Sequence, residues 1–241
     1  MRPQRLFFCL LSVFFLSTCQ PASSGKHLFI LSGQSNMARL DPNRTFIPTV
    51  ADAFGAEDII VVKSAQGGQP IKRWYRDWKN TDQTIKNTEY DLYDSLMVKV
   101  NNAILEEEIA SVTFLWMQGE RDARQSWGEV YEESLHGLYQ QLSADLGRDD
   151  IYFVIGRLSD FDMGNERYPH WTKVREAQVS VANSSPNFSW INTDDLNDGI
   201  NQQGKEIKND LHLSEVGYAE LGRRFAEAAI EKIQEVRDTP E

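Results

Sequence analysis

Ser35 and His212 are the two residues of this chain whose positions best suit nucleophilic chemistry. Ser35 lies in the stretch Gly33-Gln34-Ser35-Asn36-Met37, directly after an apolar run. A serine at such a junction is either the N-cap of a following helix or an exposed nucleophile. Its hydroxyl needs a neighbouring base to react, because it is a poor nucleophile at its free pKa. The chemistry to expect here is acyl transfer, with a histidine as the proton acceptor.

The chain has four histidines, which limits the choice of that base. His27 opens an apolar run and His136 lies within an amphipathic segment, so both favour structural roles. His170 follows a proline in a loop and stays a candidate. His212 is favoured, because it directly precedes the last amphipathic segment and has Asp210 two residues before it. A carboxylate there can hold the second imidazole nitrogen.

Short apolar runs alternate with amphipathic segments, which predicts an α/β fold with a five-stranded parallel sheet. The predicted strands, rich in Ile, Val and Phe as strands buried on both faces are, are His27–Ser32, Asp58–Ser64, Ala110–Met117, Ile151–Arg157 and Phe188–Asn192. The predicted helices, with apolar residues three and four apart, are Leu92–Glu107, Trp127–Leu146, Trp171–Ala182 and Ser214–Val236. Ligands bind beyond the carboxyl ends of such strands, and Ser35 follows the first of them.

The N-terminus has the pattern of an export signal. Arg2 and Arg5 precede the apolar run Leu6–Leu16, which is too short to span a bilayer comfortably. The run ends in Leu16-Ser17-Thr18-Cys19, which resembles a bacterial lipobox; secretion without a lipid is the alternative. We predict a signal over residues 1–19, a tether over 20–26 and one domain over 27–238. The protein is expected to be exported to the periplasm, the cell surface or the medium.

Charge and cysteine content exclude several classes of partner and chemistry. The formal net charge of −11 argues against nucleic acid or anionic lipid, so a membrane contact is expected only through an N-terminal lipid anchor. Cys9 and Cys19 both lie in the predicted signal, which excludes a disulfide, a thiol nucleophile and a cysteine-based metal site in the mature chain. We expect neither a metal nor a cofactor.

Four ordered blocks of the sequence resemble the SGNH hydrolases, in the branch of the sialate O-acetylesterases and the acetyl xylan esterases of carbohydrate esterase family six. The blocks are Gly33-Gln34-Ser35-Asn36-Met37, Gly67-Gly68-Gln69-Pro70-Ile71, Trp116-Met117-Gln118-Gly119-Glu120-Arg121-Asp122 and Asp210-Leu211-His212. The resemblance covers about residues 28–222 and implies a flavodoxin-like, three-layer α/β/α fold. It also implies metal-free removal of acetyl groups from a carbohydrate. Two rivals are a catalytically inactive glycan-binding lipoprotein and an esterase for non-sugar esters.

The resemblance also implies roles for particular residues. Ser35 matches the nucleophile and gives a backbone N–H to the oxyanion hole, and Gly67 or Gly68 matches the second donor. Gln118 matches a glutamine whose side-chain N–H binds the same oxygen. Glu120 and Asp122 match acidic positions that are expected to brace loops.

The acid beside the histidine departs from the pattern of the family. Many relatives place it three residues before the histidine, but Asn209 occupies that position here. We therefore assign the role to Asp210; the alternatives are Asp194, Asp195 or a dyad without an acid.

Basic residues follow each of the first three blocks, namely Arg39, Lys72, Arg73, Arg76, Arg121 and Arg124. Arginine suits the binding of a carboxylate, so Arg39, Arg73 and Arg121 are candidate contacts for an acidic sugar. The alternative interpretation is that these residues are solvated and form ordinary surface ion pairs.

Overall fold

The five-stranded parallel sheet predicted from the sequence is present in the computed structural model, which describes residues 25–82, 84 and 87–237. Its strands are β1 (Lys26–Gly33), β2 (Ile59–Ala65), β3 (Ile109–Met117), β4 (Tyr152–Gly156) and β5 (Phe188–Ile191). The order across the sheet is β2-β1-β3-β4-β5, with parallel pairing throughout. The predicted signal, its two cysteines and most of the tether lie outside the described residues.

Seven α-helices and one small hairpin accompany the sheet in the part of the chain that the structure describes. The helices are α1 (Ser35–Arg39), α2 (Phe46–Phe54), α3 (Asp91–Ile104), α4 (Glu120–Arg124), α5 (Tyr131–Leu146), α6 (Trp171–Ala182) and α7 (Glu215–Arg237). Single turns of 3-10 helix cover Ile71–Arg73 and Gly128–Val130, and the hairpin pairs β6 (Gly199–Ile200) with β7 (Glu206–Ile207). The four predicted helices are confirmed, except that the one expected from Trp127 becomes α-helical only at Tyr131.

Helix α2 was not expected from the sequence. It contains Pro48, which is tolerated because it lies in the first turn, where backbone N–H groups have no helical partner.

Alternating residues of the strands feed two separate cores. On β1, Leu28 and Ile30 pack with the core that α3, α5 and α6 cover, whereas Phe29 and Leu31 pack with the core beneath α2 and α7. This alternation is the period of two of a strand buried on both faces. The predicted three-layer α/β/α architecture is therefore confirmed. Within the described residues, no helix combines the length and apolar character needed to cross a membrane.

Gly33 lets the end of β1 turn sharply against the end of β3. Its φ is +140°, and a Cβ at this position would lie 2.0 Å from the carbonyl oxygen of Met117. Only glycine fits such a close approach of two backbones. The next residue, Gln34, donates its N–H to the same oxygen at 2.9 Å. The turn thus delivers Ser35 to the edge of the sheet.

Candidate active site

A cavity of about 290 Å³ opens beyond the carboxyl ends of the central strands, and we call it the catalytic cavity. Ser35, Gly67, Gly68 and His212, four of the predicted catalytic residues, line it together. The remaining lining residues are Gln34, Glu120, Arg121, Arg124, Tyr168 and Leu211. The fold thus brings together blocks that are far apart in the sequence.

Ser35 is the first residue of α1 and is half-buried. A Cβ on Gly67 would lie 3.5 Å from the Cβ of Ser35, so the glycine turn and the serine are neighbours. Gly68 has a φ of +72°, a left-handed conformation that favours glycine. Among the described residues, none accepts a hydrogen bond from the backbone N–H of Ser35 or Gly68. Both donors are therefore available to a developing oxyanion.

His212 is half-buried in the loop before α7. Its Nδ1 lies 4.0 Å from Oδ1 of Asp210, beyond hydrogen-bonding distance, and that oxygen accepts the backbone N–H of His212 at 2.9 Å. Burial, assisted by the charge of Arg39, lowers the pKa of His212 below its usual 6.5, and Asp210 opposes this. The imidazole is thereby kept neutral, the form that accepts a proton. Within the described chain no hydrogen bond joins it to Ser35, and such catalytic contacts are often long before substrate binds.

The two alternative acids are occupied elsewhere. Asp194 pairs with Arg157 at 2.7 Å, and Asp195 pairs with Arg224 at 2.6 Å. Neither contacts His212. The geometry therefore does not support Asp194 or Asp195 as the acid of the site, because both carboxylates pair with arginines. Asp210 or a dyad remains.

The other three histidines have structural surroundings. His27 is buried, with Nδ1 2.7 Å from the hydroxyl of Ser111. His136 lies on α5, away from the catalytic cavity lining. His170 accepts the backbone N–H of Gly128 at 3.1 Å, so its candidacy as the base is not supported.

Asn36 joins the serine turn to the histidine loop, a role that the sequence did not suggest. Its side-chain amide donates to Glu120 Oε1 at 2.9 Å and to the carbonyl oxygen of Leu211 at 3.2 Å. Its Oδ1 accepts the hydroxyl of Tyr218 at 2.9 Å. Leu211 directly precedes His212, so one buried side chain connects both catalytic segments. No sequence signal pairs residues that are 175 and 182 positions apart.

Two buried carboxyl groups support the catalytic cavity; Glu120 belongs to its lining, whereas Asp122 does not. Asp122 accepts the backbone N–H of Ile71 at 2.9 Å, which attaches the glycine block to α4, while Glu120 holds Asn36. Burial raises the pKa of both carboxyls to about 7. Both residues brace loops, in agreement with the sequence prediction.

A sequence profile of carbohydrate esterases, described as sialic acid-specific acetylesterases, matches residues 38–231. This chain belongs to that family. The match contains His212 and begins just after Ser35. A comparison with curated proteins gives no sequence match.

Solved structures show the same fold at low sequence identity. A protein from Arabidopsis thaliana has a TM-score of 0.65 and 20% identity, over 86% of this esterase and 98% of that protein. NanS has a TM-score of 0.60 and 13% identity, over 89% of this esterase and 99% of NanS. A carbohydrate acetylesterase from Xanthomonas citri has a TM-score of 0.59 and 17% identity, over 85% of this esterase and 56% of that longer chain. Enzymes of this fold therefore include carbohydrate acetylesterases.

Gln118 of this esterase is fully buried and does not line the catalytic cavity. Its amide nitrogen lies 3.1 Å from the carbonyl oxygen of Gln69 and 2.5 Å from Asp122 Oδ2, and its Oε1 accepts the hydroxyl of Tyr131 at 3.0 Å. An amide nitrogen carries two hydrogens, so these acceptors use both. The predicted oxyanion contact would require one of these bonds to break, and it stays a prediction.

The six basic residues near the blocks divide into three groups. Arg39 forms one by itself, because it neither lines the catalytic cavity nor pairs with a described carboxylate. Arg73 binds Asp91 through two bonds of 2.6 and 2.7 Å, and Lys72 and Arg76 also have carboxylate partners. Arg121 and Arg124 line the catalytic cavity and pair with no carboxylate among the described residues. The interpretation as surface ion pairs therefore fits Lys72, Arg73 and Arg76, whereas binding of an acidic sugar by Arg39 or Arg121 stays a prediction. Across the same described ranges, no cluster of three or more His, Cys, Asp or Glu residues suits a metal ion.

Proposed function

We propose that this esterase removes acetyl groups from a carbohydrate, with Ser35 as the nucleophile and His212 as the general base. The observation that carries the proposal is that Ser35, Gly68 and His212, from three distant segments, line one cavity. Membership of the carbohydrate esterase family supports the ester chemistry. The small volume and the charged walls of the cavity favour a short acyl group over a long chain.

In the first half of the reaction, His212 takes the proton of Ser35 through Nε2, since Nδ1 lies on the side of Asp210. The serine oxygen then attacks the acetyl carbonyl. The backbone N–H groups of Ser35 and Gly68 stabilise the negative charge on the carbonyl oxygen. The ester bond breaks, and His212 returns the proton to the leaving sugar oxygen.

In the second half, water attacks the acetyl-serine after losing its proton to His212. Acetate leaves, and the proton returns to Ser35. The net reaction consumes one water molecule and gives one sugar hydroxyl and one acetic acid, which ionises. Asp210 supports the positively charged imidazolium through space rather than through a hydrogen bond.

The decisive experiment measures acetate release by the purified protein from acetylated xylan, acetylated sialic acid and 4-nitrophenyl acetate. Activity on at least one sugar ester, abolished in Ser35→Ala, is the expected result. Cleavage of 4-nitrophenyl acetate alone would favour an esterase for non-sugar esters. Wild-type rates in Ser35→Ala would refute the assigned nucleophile.

An acidic sugar is the substrate type that the unpaired arginines favour. Arg121 and Arg124 place two positive charges without an ion-pair partner among the described residues in the lining of the catalytic cavity, in a protein with a net negative charge. Arg124→Ala is expected to lower kcat/KM for acetylated sialic acid about tenfold more than for acetylated xylose. Arg223→Ala, a matched change on the exposed face of α7, controls for a general effect of charge. Equal losses on both sugars would remove the preference.

Export and lipid attachment belong to the proposal as well, because the N-terminal pattern of an export signal supports them. Mass spectrometry of the mature N-terminus distinguishes a lipidated Cys19 from a cut elsewhere. The variant Cys19→Ala is expected to abolish membrane association. Retention of the whole N-terminus in the mature protein would contradict export by cleavage.

A further inference from the structure

A second cavity of about 310 Å³ adjoins the catalytic cavity, and Gly68 and Arg121 line both. We call it the adjoining cavity. It lies between the glycine block, with the 3-10 turn Ile71–Arg73, and the segment Arg121–Trp127. Each cavity alone is at the lower limit of volumes that hold small ligands, roughly 300–1,000 Å³. Together they form a continuous site on both sides of Gly68.

The two walls of the adjoining cavity differ in how their polar groups are used. On the wall of the glycine block, Lys72 pairs with Glu89 and Arg73 is held by two bonds to Asp91. On the opposite wall, the side chain of Gln125 hydrogen-bonds to no described residue, and its Oε1 is buried without a partner. A buried acceptor without a partner costs free energy until a bound molecule or water satisfies it.

The side chain of Arg121 is also unpaired within the described residues, and its buried Nε has no partner. Both side chains line the adjoining cavity, and neither forms a hydrogen bond with a described residue. A wall of pre-positioned but unused polar groups is the pattern of a binding surface.

Trp127 adds an apolar surface to this wall. Its ring packs on the buried ring of Trp78, with centroids 4.8 Å apart, which holds it in place while it lines the cavity. A fixed aromatic ring beside a few polar groups is the usual composition of a small-molecule site. A sugar ring matches this composition, because its C–H face is apolar and its hydroxyls both donate and accept.

We propose that the adjoining cavity binds the sugar unit next to the acetylated one, so that the substrate is an acetylated oligosaccharide or polysaccharide rather than a single sugar. The proposal rests on the proposed function. Trp127 carries the apolar face of that second unit, and Gln125 and Arg121 bind its hydroxyls. A single acetylated sugar would leave this wall unused.

The test measures kcat/KM for chemically O-acetylated xylose, xylobiose and xylotriose, and for the corresponding glucose series from one to three units. We expect kcat/KM to rise at least about tenfold from one unit to two in one of the series, with little further gain at three. Equal values at all lengths in both series would overturn the proposal. Release of acetate from acetylated sialic acid but from none of these sugars would overturn the subsite alone. Release from neither would contradict the proposed function itself, and the subsite with it.

Variants of the wall formed by the segment Arg121–Trp127 test whether it causes the gain in kcat/KM with substrate length. Trp127→Ala and Gln125→Ala are each expected to lower kcat/KM for the disaccharide at least fivefold more than for 4-nitrophenyl acetate, which has no sugar. Gln140→Ala, a matched change at an exposed position of α5, is expected to keep the higher kcat/KM for the disaccharide than for the single sugar. Equal losses on both substrates in the two wall variants would show that the residues only maintain the fold, and would also overturn the proposal.

Discussion

The turn that carries Ser35 and the loop that carries His212 are held in different ways. The serine turn is fixed by buried side-chain contacts, since the side chain of Asn36 bonds to three separate segments, at Glu120, Leu211 and Tyr218. The histidine loop is half-exposed, and the imidazole of His212 has no hydrogen bond to Asp210, which lies 4.0 Å away. Buried contacts of Asn36 therefore position the proposed nucleophile, whereas the side chain of the proposed base has no hydrogen bond to Asp210.

This difference indicates which contacts the reaction depends on most. A nucleophile must be aligned with its oxyanion donors, which are backbone groups and cannot adjust. An imidazole can complete its alignment when the substrate closes the cavity. Substitutions at the serine turn should therefore lower kcat more than a substitution of Asp210, beside the histidine.

The largest loss is expected from the two reacting residues themselves. Ser35→Ala and His212→Ala should each lower kcat by about 10⁴-fold or more, and the double variant should lose little beyond that, because the two act as a unit. Their melting temperatures should stay close to that of the wild type, since both side chains are only half-buried. Acetate release and thermal unfolding measure the two outcomes separately. Additive losses of kcat in the double variant would show that Ser35 and His212 do not act as a unit.

Asn36→Ala should give the next largest loss. It leaves the buried Glu120 and Tyr218 without their partner, which costs about 1–3 kcal/mol of stability for each unsatisfied group. It also frees the serine turn from the histidine loop, so kcat should fall about 10- to 100-fold with a much smaller change in KM. Kinetics and chemical denaturation test both effects.

Tyr218→Phe sharpens this prediction, because it removes only the hydroxyl that donates to Asn36. We expect its loss of kcat to be severalfold and smaller than that of Asn36→Ala. A stability loss in Asn36→Ala with unchanged kcat would mean that the contact serves the fold alone.

Asp210→Asn should have a modest effect, a loss of about tenfold or less in kcat. When a triad aspartate that is hydrogen-bonded to its histidine is changed to asparagine, kcat falls about 10⁴-fold. Here the carboxylate acts only through space. Asn209→Gly is the matched control, because Asn209 has a φ of +45° that glycine adopts freely. A larger loss in the control than in Asp210→Asn would show that the acid is misplaced.

The smallest expected effect is on the pH dependence of activity. The pKa of His212 lies below 6.5, so kcat/KM should fall only as the pH drops below that value and the base becomes protonated. Arg39→Gln removes a positive charge that disfavours the imidazolium, so it should raise the pKa of His212. The fall of kcat/KM at low pH should then begin at a higher pH, by less than about one unit. Asp210→Asn should move it the opposite way. Both shifts should shrink at high salt, which screens the charges. An unchanged pH dependence of kcat/KM in Arg39→Gln would contradict the charge effect.

The strands were predictable because each is a short apolar run between polar turns, and the observed bounds of β1 and β3 differ from the predicted ones by one residue at most. Helix α2 was missed because Pro48 breaks its pattern and it has only nine residues. The positions of Ser35 and His212 followed from the rule that sites lie at the carboxyl ends of strands.

The contacts between distant segments were not predictable from the sequence. Pairing of Arg73 with Asp91 and of Asp194 with Arg157 depends on side-chain directions that composition and spacing do not contain. Tyr168 also reaches the catalytic cavity, and the loop after β4 in which it lies was the signal that could have identified it.

The buried carboxyls of Glu120 and Asp122 each take up a proton when the chain folds at a pH between their unfolded and folded pKa values. Their pKa values in the folded chain, about 7, exceed their ordinary values of 4.5 and 3.8. Between those limits these two carboxyls bind more protons in the folded chain than in the unfolded chain. Their contribution to stability is therefore fully present below the unfolded values of 4.5 and 3.8 and is lost as the pH rises through about 7. Glu120→Gln should therefore narrow the difference in Tm between pH 5 and pH 8. At these two positions, the acidity that released acetic acid creates favours the folded chain.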